Sequence, residues 1–440
     1  MPPEKTLGRA VESPLVRGGL TLAGGILAGN LIGFLRVALT AYLLGTHRRA
    51  DSLAVAMGPL DTVNSLLTNS MLFAFVPLLT ARSGGLRAAL FLKLRRIFIW
   101  VFAAFAVSIA AAAPWLMRAL APGLDPDSFR VAVRILQILA VSTTAVGIAA
   151  LYSALLYTER RFAPTAFYQA SLNVCIVVAA LALWRLVGVY AFAIGFTVGA
   201  CVQLFIVSYV ARASLPSKAL PPCDLHWREI LVKPAFFLVY AVALGLNITF
   251  TRAYATHAGS GMAAALEYCI RGVGVPLALV VQPFSNSLLP EIARLRSLGR
   301  LPEAFRLIAR TVTLAALVVV GGCGFALLFR HPAIALFFQR GSFTAESTDL
   351  VSAVFLGLGP SLIGWSLFEI LSRSLFALDR RWPPVLAAFI PILVNATLTL
   401  RFGLSQPRWI GAGASLGTLA GFGVLFLLAL TQRKRWLEQP

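Results

Sequence analysis

The chain has 440 residues, of which 59% are hydrophobic and 12% charged, and its formal net charge is +21. Soluble domains average about 25% charged residues, so this composition excludes an ordinary soluble enzyme or binding module. A basic charge of this size would suggest nucleic acid as a partner if the protein were soluble. Here the cations gather in short connections between apolar runs, as membrane topology requires, so we expect no nucleic-acid partner.

Apolar runs long enough to cross a bilayer, about 20 residues each, recur along the whole chain. They predict an all-α polytopic membrane protein with twelve transmembrane helices. The predicted spans are 19–45, 52–80, 97–121, 131–157, 164–184, 187–211, 231–256, 262–289, 307–329, 348–377, 384–404 and 409–430.

The placement of Lys and Arg predicts the orientation of these spans. One set of connections holds 24 of the 38 cations, and the alternate set holds 10. Cytoplasmic loops carry the excess of Lys and Arg, so we expect both termini in the cytoplasm. The segments 1–18 and 431–440 are then cytoplasmic tails.

An internal repeat predicts two lobes. The sequence at 75–82, which ends the second span, is similar to 288–294, which ends the eighth. The sequence at 159–164, after the fourth span, is similar to 379–384, after the tenth. Matching elements face the same side, so the repeat is parallel, with six spans in each half.

The repeat divides the chain at a basic linker that contains prolines, 214–230. We predict an N-terminal six-helix lobe over 19–213 and a C-terminal six-helix lobe over 231–430, around a central cavity. Transporters with repeats of this kind usually hold cargo between the halves and open alternately to each side.

The second span carries a polar stripe on one helical face. Its members follow helical spacing: Asp61, Asn64, Ser65, Thr68 and Asn69. In lipid such a stripe must turn inward. It predicts a cavity wall, and hydrogen bonding between helices is the alternative.

Four arginines lie inside predicted spans: Arg36, Arg252, Arg271 and Arg373. A cation at bilayer depth costs at least about 2.5–3.5 kcal/mol and normally faces a wet or paired environment. Arg271 and Arg373 each follow a glutamate by four residues, Glu267 and Glu369, and this spacing allows pairing on one helix face. Arg36 has no carboxylate within one turn. The arginines suggest an anionic cargo, and neutral Glu–Arg pairs that ease membrane insertion are the alternative.

Nucleotide and metal motifs are absent from the sequence. None of the five lysines follows a glycine, so no Walker A loop exists. The four histidines are scattered, and we expect no metal site and no cofactor. A transporter of this kind must be driven by a Na⁺ or H⁺ gradient or by the membrane potential. A potential of 100 mV supplies about 2.3 kcal/mol per charge.

Several segments together resemble the MurJ/MviN lipid II flippase family, which belongs to a superfamily with polysaccharide flippases and multidrug exporters. In chain order they are Gly33-Phe34-Leu35-Arg36, Ala50-Asp51, Ala74-Phe75-Val76-Pro77, Ala121-Pro122-Gly123, Tyr268 with Arg271 and Pro276, Leu288-Leu289-Pro290, and Phe338-Gln339-Arg340-Gly341-Ser342-Phe343-Thr344. The resemblance covers nearly the whole chain, and the order of the segments is more specific than any one of them.

The resemblance implies a multi-pass protein of the bacterial inner membrane that moves undecaprenyl-pyrophosphate-linked sugars to the outer leaflet. It implies that arginines in a central cavity hold the pyrophosphate, and Arg36 and Arg271 fall on two such positions. Further candidates are Asp51, Asp61, Asn64 and Thr68 lining the path, Glu267 tuning Arg271, and Asn30, Arg252, Glu369 and Arg373 as secondary binding residues. Asn247 and Asn395 are weak candidates for sodium. The expected partners are the lipid-linked glycan, membrane lipids and glycan-synthesis enzymes.

The sequence departs from the family pattern at several positions. Asn30 replaces an arginine, and Asn64 with Ser65 replaces an arginine pair. Acidic positions are occupied by Val37, Ile270 and Gly274. The family also has two further spans, so we expect a shortened twelve-span relative whose cargo is lipid II or an exopolysaccharide unit. Two alternatives remain open: an ion-coupled exporter of small molecules, and a membrane scaffold for glycan assembly that does not transport.

Overall fold

A computed structural model describes residues 14–82, 84–159, 161, 163–215, 227–276, 288, 291–292, 294–402 and 406–437. The first half contains α1 (Pro14–Leu44), α2 (Arg48–Thr80), α3 (Gly84–Leu120), α4 (Pro126–Thr158), α5 (Ala163–Ala166), α6 (Tyr168–Val187) and α7 (Tyr190–Ala211), with a 3₁₀ turn at Arg212–Ser214. The second half contains α8 (Trp227–Ala255), α9 (Met262–Pro276), α10 (Leu301–Leu328), α11 (Arg330–Phe338), α12 (Ala345–Leu358), α13 (Ser361–Ala377), α14 (Trp382–Ala387), α15 (Ile390–Phe402) and α16 (Ala412–Leu437). All regular structure in the described ranges is helical, which confirms the all-α class.

The number of spans is supported only in part. Among the described residues, 8 helices are long and apolar enough to cross a membrane. A ninth span forms if α12 and α13, which meet at a bend of 43°, count as one. Three predicted spans are not among these helices: 52–80, 231–256 and 262–289. They carry many of the polar and charged side chains predicted to line a cavity. Residues 277–287 of the last of these spans lie outside the described residues. The count of twelve therefore stays a prediction.

Two compact units make up the chain. Unit 1 comprises Met1–Leu39, Pro59–Leu116 and Arg130–Ala235. Unit 2 comprises Thr40–Gly58, Met117–Phe129 and Phe236–Pro440. Residues 40–58 and 117–129 group with the later helices, and the predicted lobes at 19–213 and 231–430 stay a prediction. At the predicted tails, residues 1–13 lie outside the described part, and α16 continues past 430 to Leu437.

Unit 1 has a core of large apolar side chains from α2, α3 and α4. Phe75, Phe91 and Leu151 are almost fully buried, and the rings of Phe91 and Tyr152 meet edge to face at 5.0 Å. Edge-to-face contact is a favoured geometry for aromatic pairs.

A ladder of glycines on α1 lets this helix approach α5 and α6 of unit 1. A Cβ atom at Gly29 would lie 2.8 Å from the Cβ of Gln169, and one at Gly33 would lie 3.1 Å from Asn173 Nδ2. Asn173 also donates to the Gly29 carbonyl at 3.1 Å. Small residues allow this close packing of membrane helices.

Glycines allow the same close helix packing in unit 2, between α15 and α16. A Cβ atom at Gly421 would lie 2.9 Å from Pro391 Cγ, and one at Gly413 would overlap the Asn395 amide and lie 2.6 Å from the Thr399 hydroxyl. Both glycine ladders are therefore close-packing surfaces.

Residues 40–58 are tied to the later helices of unit 2 by hydrogen bonds. Ser342 N–H donates to the Tyr42 carbonyl at 2.8 Å, and the Tyr268 hydroxyl donates to the Gly45 carbonyl at 2.8 Å. Gly341 has a φ of 61°, and a Cβ atom there would lie 2.5 Å from the Tyr42 ring. Glycine suits both requirements, since it adopts positive φ without strain and has no side chain.

The segment 117–129 joins unit 2 in the same way. The Gly123 N–H donates to Thr256 Oγ1 at 3.0 Å, and the Ser52 hydroxyl donates to the Ser128 carbonyl at 2.9 Å. Asp125 accepts from the Ser128 N–H at 3.2 Å at the start of α4. Hydrogen bonding by Ser128 is the main reason that the pKa of Asp125 lies below its ordinary value. An ionised residue here suits the positive end of a helix.

Candidate anion-binding site

Two arginines of unit 2 share one carboxylate. Arg252 is close to the end of α8, and its Nε and Nη2 atoms donate to Glu267 Oε2 at 3.1 and 2.8 Å. Arg271 lies one turn after Glu267 on α9, and its Nε donates to Glu267 Oε1 at 2.9 Å. The predicted Glu267–Arg271 pairing is therefore present, and Arg252 is a third member that the spacing did not predict. We call these three residues the arginine cluster.

The side chains of the arginine cluster differ in burial. The side chains of Arg252 and Glu267 are 7% and 16% exposed, whereas that of Arg271 is 32% exposed. Arg252 Nη1 is buried without a hydrogen-bond partner in the described part of the chain. Within this set of three side chains, two guanidinium groups face one carboxylate, and guanidinium groups are common ligands of anionic groups such as phosphate.

Arg252 is packed against the backbone of α2. A Cβ atom at Gly58 would lie 2.6 Å from both Cζ and Nε of Arg252. Only a residue without a side chain leaves room for the guanidinium plane here. The absence of a side chain at Gly58 thus helps to place Arg252 beside Glu267.

Asp51 holds the start of α9, the helix that carries Glu267 and Arg271. It is 4% exposed, and its two carboxylate oxygens accept from the Gly261 N–H at 2.6 Å and the Ala264 N–H at 2.8 Å. The first N–H groups of a helix lack partners within the helix and favour a negative charge. Asp51 therefore acts as a helix cap from a distant part of the chain, a role that sequence analysis missed. Its predicted role in lining a cargo path stays a prediction.

The Glu369–Arg373 pair forms on α13 of unit 2 as its spacing predicted. Arg373 Nε and Nη2 both lie 2.6 Å from Glu369 Oε1. The side chains of Glu369 and Arg373 are 22% and 35% exposed. This geometry matches the neutral pair considered as the alternative to cargo binding.

Unit 1 holds the remaining predicted binding residues. Arg36 is 8% exposed and Asn64 is 4% exposed. Neither amide atom of Asn64 has a hydrogen-bond partner in the described ranges, and the same holds for Asn30 Nδ2. Thr68 donates to the Asn64 carbonyl on its own helix at 2.9 Å, and Asp61 is half-buried. The helical positions of Ser65 and Asn69 are described, but their side chains lie outside the described part. Because Arg36 belongs to unit 1 and Arg271 to unit 2, a shared binding chamber stays a prediction.

The two sodium candidates are brought together in unit 2. Asn395 Nδ2 donates to Asn247 Oδ1 at 2.7 Å and to Thr251 Oγ1 at 2.8 Å. Thr399 Oγ1 donates to Asn395 Oδ1 at 3.0 Å. The four side chains are at most 4% exposed, and they form a neutral amide and hydroxyl cluster. Ion binding by these residues stays a prediction.

Comparisons with known proteins agree on one family. A family model described as "Lipid II flippase MurJ" matches residues 40–439. The lipid II flippase MurJ of Burkholderia cenocepacia is 27% identical over 458 residues, which cover 97% of this chain and 85% of that protein. The probable lipid II flippase MurJ of Rhizobium meliloti is 27% identical over 450 residues, which cover 96% of this chain and 82% of that protein.

Solved structures show the same fold. A lipid II flippase MurJ in an inward closed conformation aligns with a TM-score of 0.82 at 19% identity, covering 93% of this chain and 87% of its own. A multidrug resistance MATE family transporter in an inward-facing conformation aligns with a TM-score of 0.80 at 12% identity, covering 95% of this chain and 99% of its own. The fold is therefore common to a lipid II flippase and a multidrug resistance transporter.

Proposed function

The chain belongs to the lipid II flippase MurJ family, and from this premise we propose that it moves a polyprenyl-pyrophosphate-linked glycan across the bacterial inner membrane. The proposed direction is from the inner to the outer leaflet, by alternating access, with both termini in the cytoplasm. The cargo, membrane lipids and glycan-synthesis enzymes are the proposed partners. The chain acts in this proposal as a transporter and not as an enzyme.

The arginine cluster is the observation that carries the proposal. Two guanidinium groups share the single carboxylate of Glu267, and the more exposed of them belongs to Arg271. Guanidinium groups match phosphate oxygens with two parallel hydrogen bonds, which supports a diphosphate as the recognised group. We also assign Arg36 of unit 1 to binding of the diphosphate, because it is a buried cation within a predicted span.

The polar part of the cargo is assigned to the polar stripe on α2 and to Asn30 on α1. Buried amides without partners are unfavourable by about 1–3 kcal/mol, so they favour a bound polar group. Asn64 and Asn30 meet this description, and they stand where the resembled family has arginines. This substitution lowers the number of cations available to an anion, and it fits an exopolysaccharide unit at least as well as lipid II.

The alternative of a small-molecule exporter receives less support. The MATE-like fold is compatible with it. An exporter of cationic compounds needs carboxylates that can receive the cargo. In unit 2, however, Glu267 and Glu369 are bonded to arginines, and Asp51 is bonded to the start of α9. A fall in drug resistance after deletion of the gene would favour this alternative.

The proposal is tested with the purified full chain in proteoliposomes. A fluorescent undecaprenyl-pyrophosphate-linked disaccharide is placed in one leaflet, under an imposed membrane potential or sodium or proton gradient. We expect the Arg36→Gln/Arg271→Gln double variant to lose transport. The Arg306→Gln variant removes an exposed arginine on α10 and should retain it. Unchanged transport in the double variant would refute the assignment. Absence of transport in the wild type under every gradient would favour the scaffold alternative.

A further inference from the structure

We infer that one end of unit 2 binds an anionic phospholipid through Arg296 and Arg381, while the exposed side of α14 and α15 receives an acyl chain. We call Arg296, Asp379, Arg381 and Trp382 the headgroup surface. The placement of Lys and Arg predicts that this end faces the cytoplasm, where the membrane surface is negatively charged. The inference goes beyond the proposed function, because it concerns a lipid that is not transported.

Two arginines of the headgroup surface share one carboxylate. Arg296 Nη2 lies 3.3 Å from Asp379 Oδ2, and Arg381 Nε lies 2.9 Å from Asp379 Oδ1. The two arginine side chains are 44% and 51% exposed. Exposed ion pairs are weak, so both guanidinium groups can turn from the carboxylate to a phosphate, which they bind with parallel hydrogen bonds. These three ionised side chains together carry one positive charge, which is complementary to a headgroup with one negative charge.

The turn after α13 holds Asp379 and Arg381 in place. The Arg380 N–H donates to the Leu375 carbonyl at 2.8 Å, and the Asp379 N–H donates to the Phe376 carbonyl at 2.9 Å. This pattern is a Schellman motif, in which the residue with positive φ is usually glycine. Here it is Asp379, with a φ of 60°, a conformation that aspartate adopts more readily than most residues. The helix therefore ends in a carboxylate that contacts both arginines.

The internal repeat provides a comparison within unit 1. The segment 159–161 is the counterpart of 379–381. Glu159 accepts a hydrogen bond from the Ser214 hydroxyl, and Arg161 Nη1 donates to a backbone carbonyl of α7 at 3.1 Å. The described carboxylate of this turn is thus bonded to a hydroxyl group, and Arg161 to the backbone. Sharing of one acid by two arginines distinguishes the turn in unit 2.

An apolar stripe continues from the headgroup surface along α14 and α15. Its members are all exposed and follow spacings of four, three and four residues: Trp382, Leu386, Phe389 and Leu393. The range Trp382–Phe402 is apolar enough to cross a membrane. Tryptophan favours the level of the lipid headgroups. An exposed apolar stripe beside two cations is complementary to a phospholipid and not to a soluble phosphate.

The experiment measures binding of phosphatidylglycerol to the purified full chain in detergent by native mass spectrometry, with phosphatidylcholine of the same acyl chains as a comparison. Each arginine near a membrane surface contributes about fivefold to the affinity for anionic lipid. We expect Arg296→Gln/Arg381→Gln to weaken phosphatidylglycerol binding about 10- to 30-fold and to leave phosphatidylcholine binding unchanged. Arg161→Gln, at the corresponding turn of unit 1, is the control and should change the affinity less than about twofold.

The Asp379→Asn variant separates lipid binding from a purely structural role. Asparagine also tolerates positive φ, so the turn is kept, while both arginines lose the competing carboxylate. We expect phosphatidylglycerol to bind about fivefold more tightly to this variant. A carboxylate needed only for folding would give weaker or unchanged binding after this change. Trp382→Ala should weaken the binding of both lipids, because it removes the aromatic side chain at headgroup level.

The remaining outcomes identify other occupants. Unchanged phosphatidylglycerol affinity in the double arginine variant would overturn the inference, as would an equal loss for both lipids. Displacement of phosphatidylglycerol by glycerol phosphate at equal concentration would assign the surface to a soluble phosphate. Tighter binding of undecaprenyl diphosphate than of phosphatidylglycerol, lost in the same double variant, would assign it to the cargo. Because no transport is measured, the result is independent of the proposed function.

Discussion

Removal of the Asp51 carboxylate tests whether this residue stabilises unit 2 through the start of α9. Asp51 is 4% exposed and accepts two backbone N–H groups, from Gly261 at 2.6 Å and Ala264 at 2.8 Å. A hydrogen bond to a charged group contributes about 1.5–3 kcal/mol, so Asp51→Ala should lower the free energy of unfolding by about 3–6 kcal/mol. Asp51→Asn keeps one accepting oxygen but is neutral and turns its NH2 group towards a backbone N–H, so it should lose more than half of this.

The assay is equilibrium unfolding of the full chain in mixed detergent micelles, with helix content as the signal. Asp349→Asn is the control, because the His331–Asp349 pair is exposed, with 73% of the Asp349 side chain accessible. Exposed ion pairs contribute about 0–1 kcal/mol, so this variant should resemble the wild type. If Asp51→Ala unfolds at the same denaturant concentration as Asp349→Asn, then Asp51 does not stabilise α9, and the capping argument is wrong.

Three further predictions follow from close contacts in unit 2. Gly58→Ala places a Cβ atom 2.6 Å from Arg252 Cζ and should displace the guanidinium group. Diphosphate binding should then weaken about tenfold or more, with little loss of helix content. Unchanged affinity would contradict the packing argument. The double variant Thr46→Cys/Ser347→Cys, at positions whose hydroxyl oxygens lie 2.8 Å apart, should form a disulfide on oxidation and raise the thermal unfolding midpoint, because it ties 40–58 to α12 within unit 2; a midpoint that is the same in the oxidised and the reduced protein would contradict this attachment. Gly413→Val should lower the free energy of unfolding by about 1–3 kcal/mol, because the larger side chain overfills the contact with Asn395 and Thr399. A thermal unfolding midpoint equal to that of the wild type would show that α15 and α16 can separate without cost.

The segments that carry the family resemblance serve packing in unit 2 to a large extent. Asp51 contacts the start of α9, and Tyr268 contacts the Gly45 carbonyl. Gly123 contacts Thr256, and Ser342 contacts Tyr42. These contacts attach 40–58 and 117–129 to the later helices. A residue that fits the family pattern can therefore have a structural role beside its expected role in transport.

Local features of the chain were predictable from sequence because their partners lie within one or two turns of a helix. Hydropathy predicted the helical membrane class, and four-residue spacing predicted the Glu267–Arg271 and Glu369–Arg373 pairs, which are present. Periodicity reports which residues share a helix face, and these features need no further information.

The arrangement of charges in unit 2 was decided by tertiary structure. Arg252 and Glu267 are 15 residues apart on different helices, and Asp51 is more than 200 residues from Gly261. Helix periodicity relates residues on one helix and contains no information about which helices will be neighbours. Two charged residues in adjacent predicted spans were the only available signal for the Arg252–Glu267 contact. The sequence alone determined that cations lie within predicted spans, whereas folding determined that Arg252 and Arg271 meet the same carboxylate.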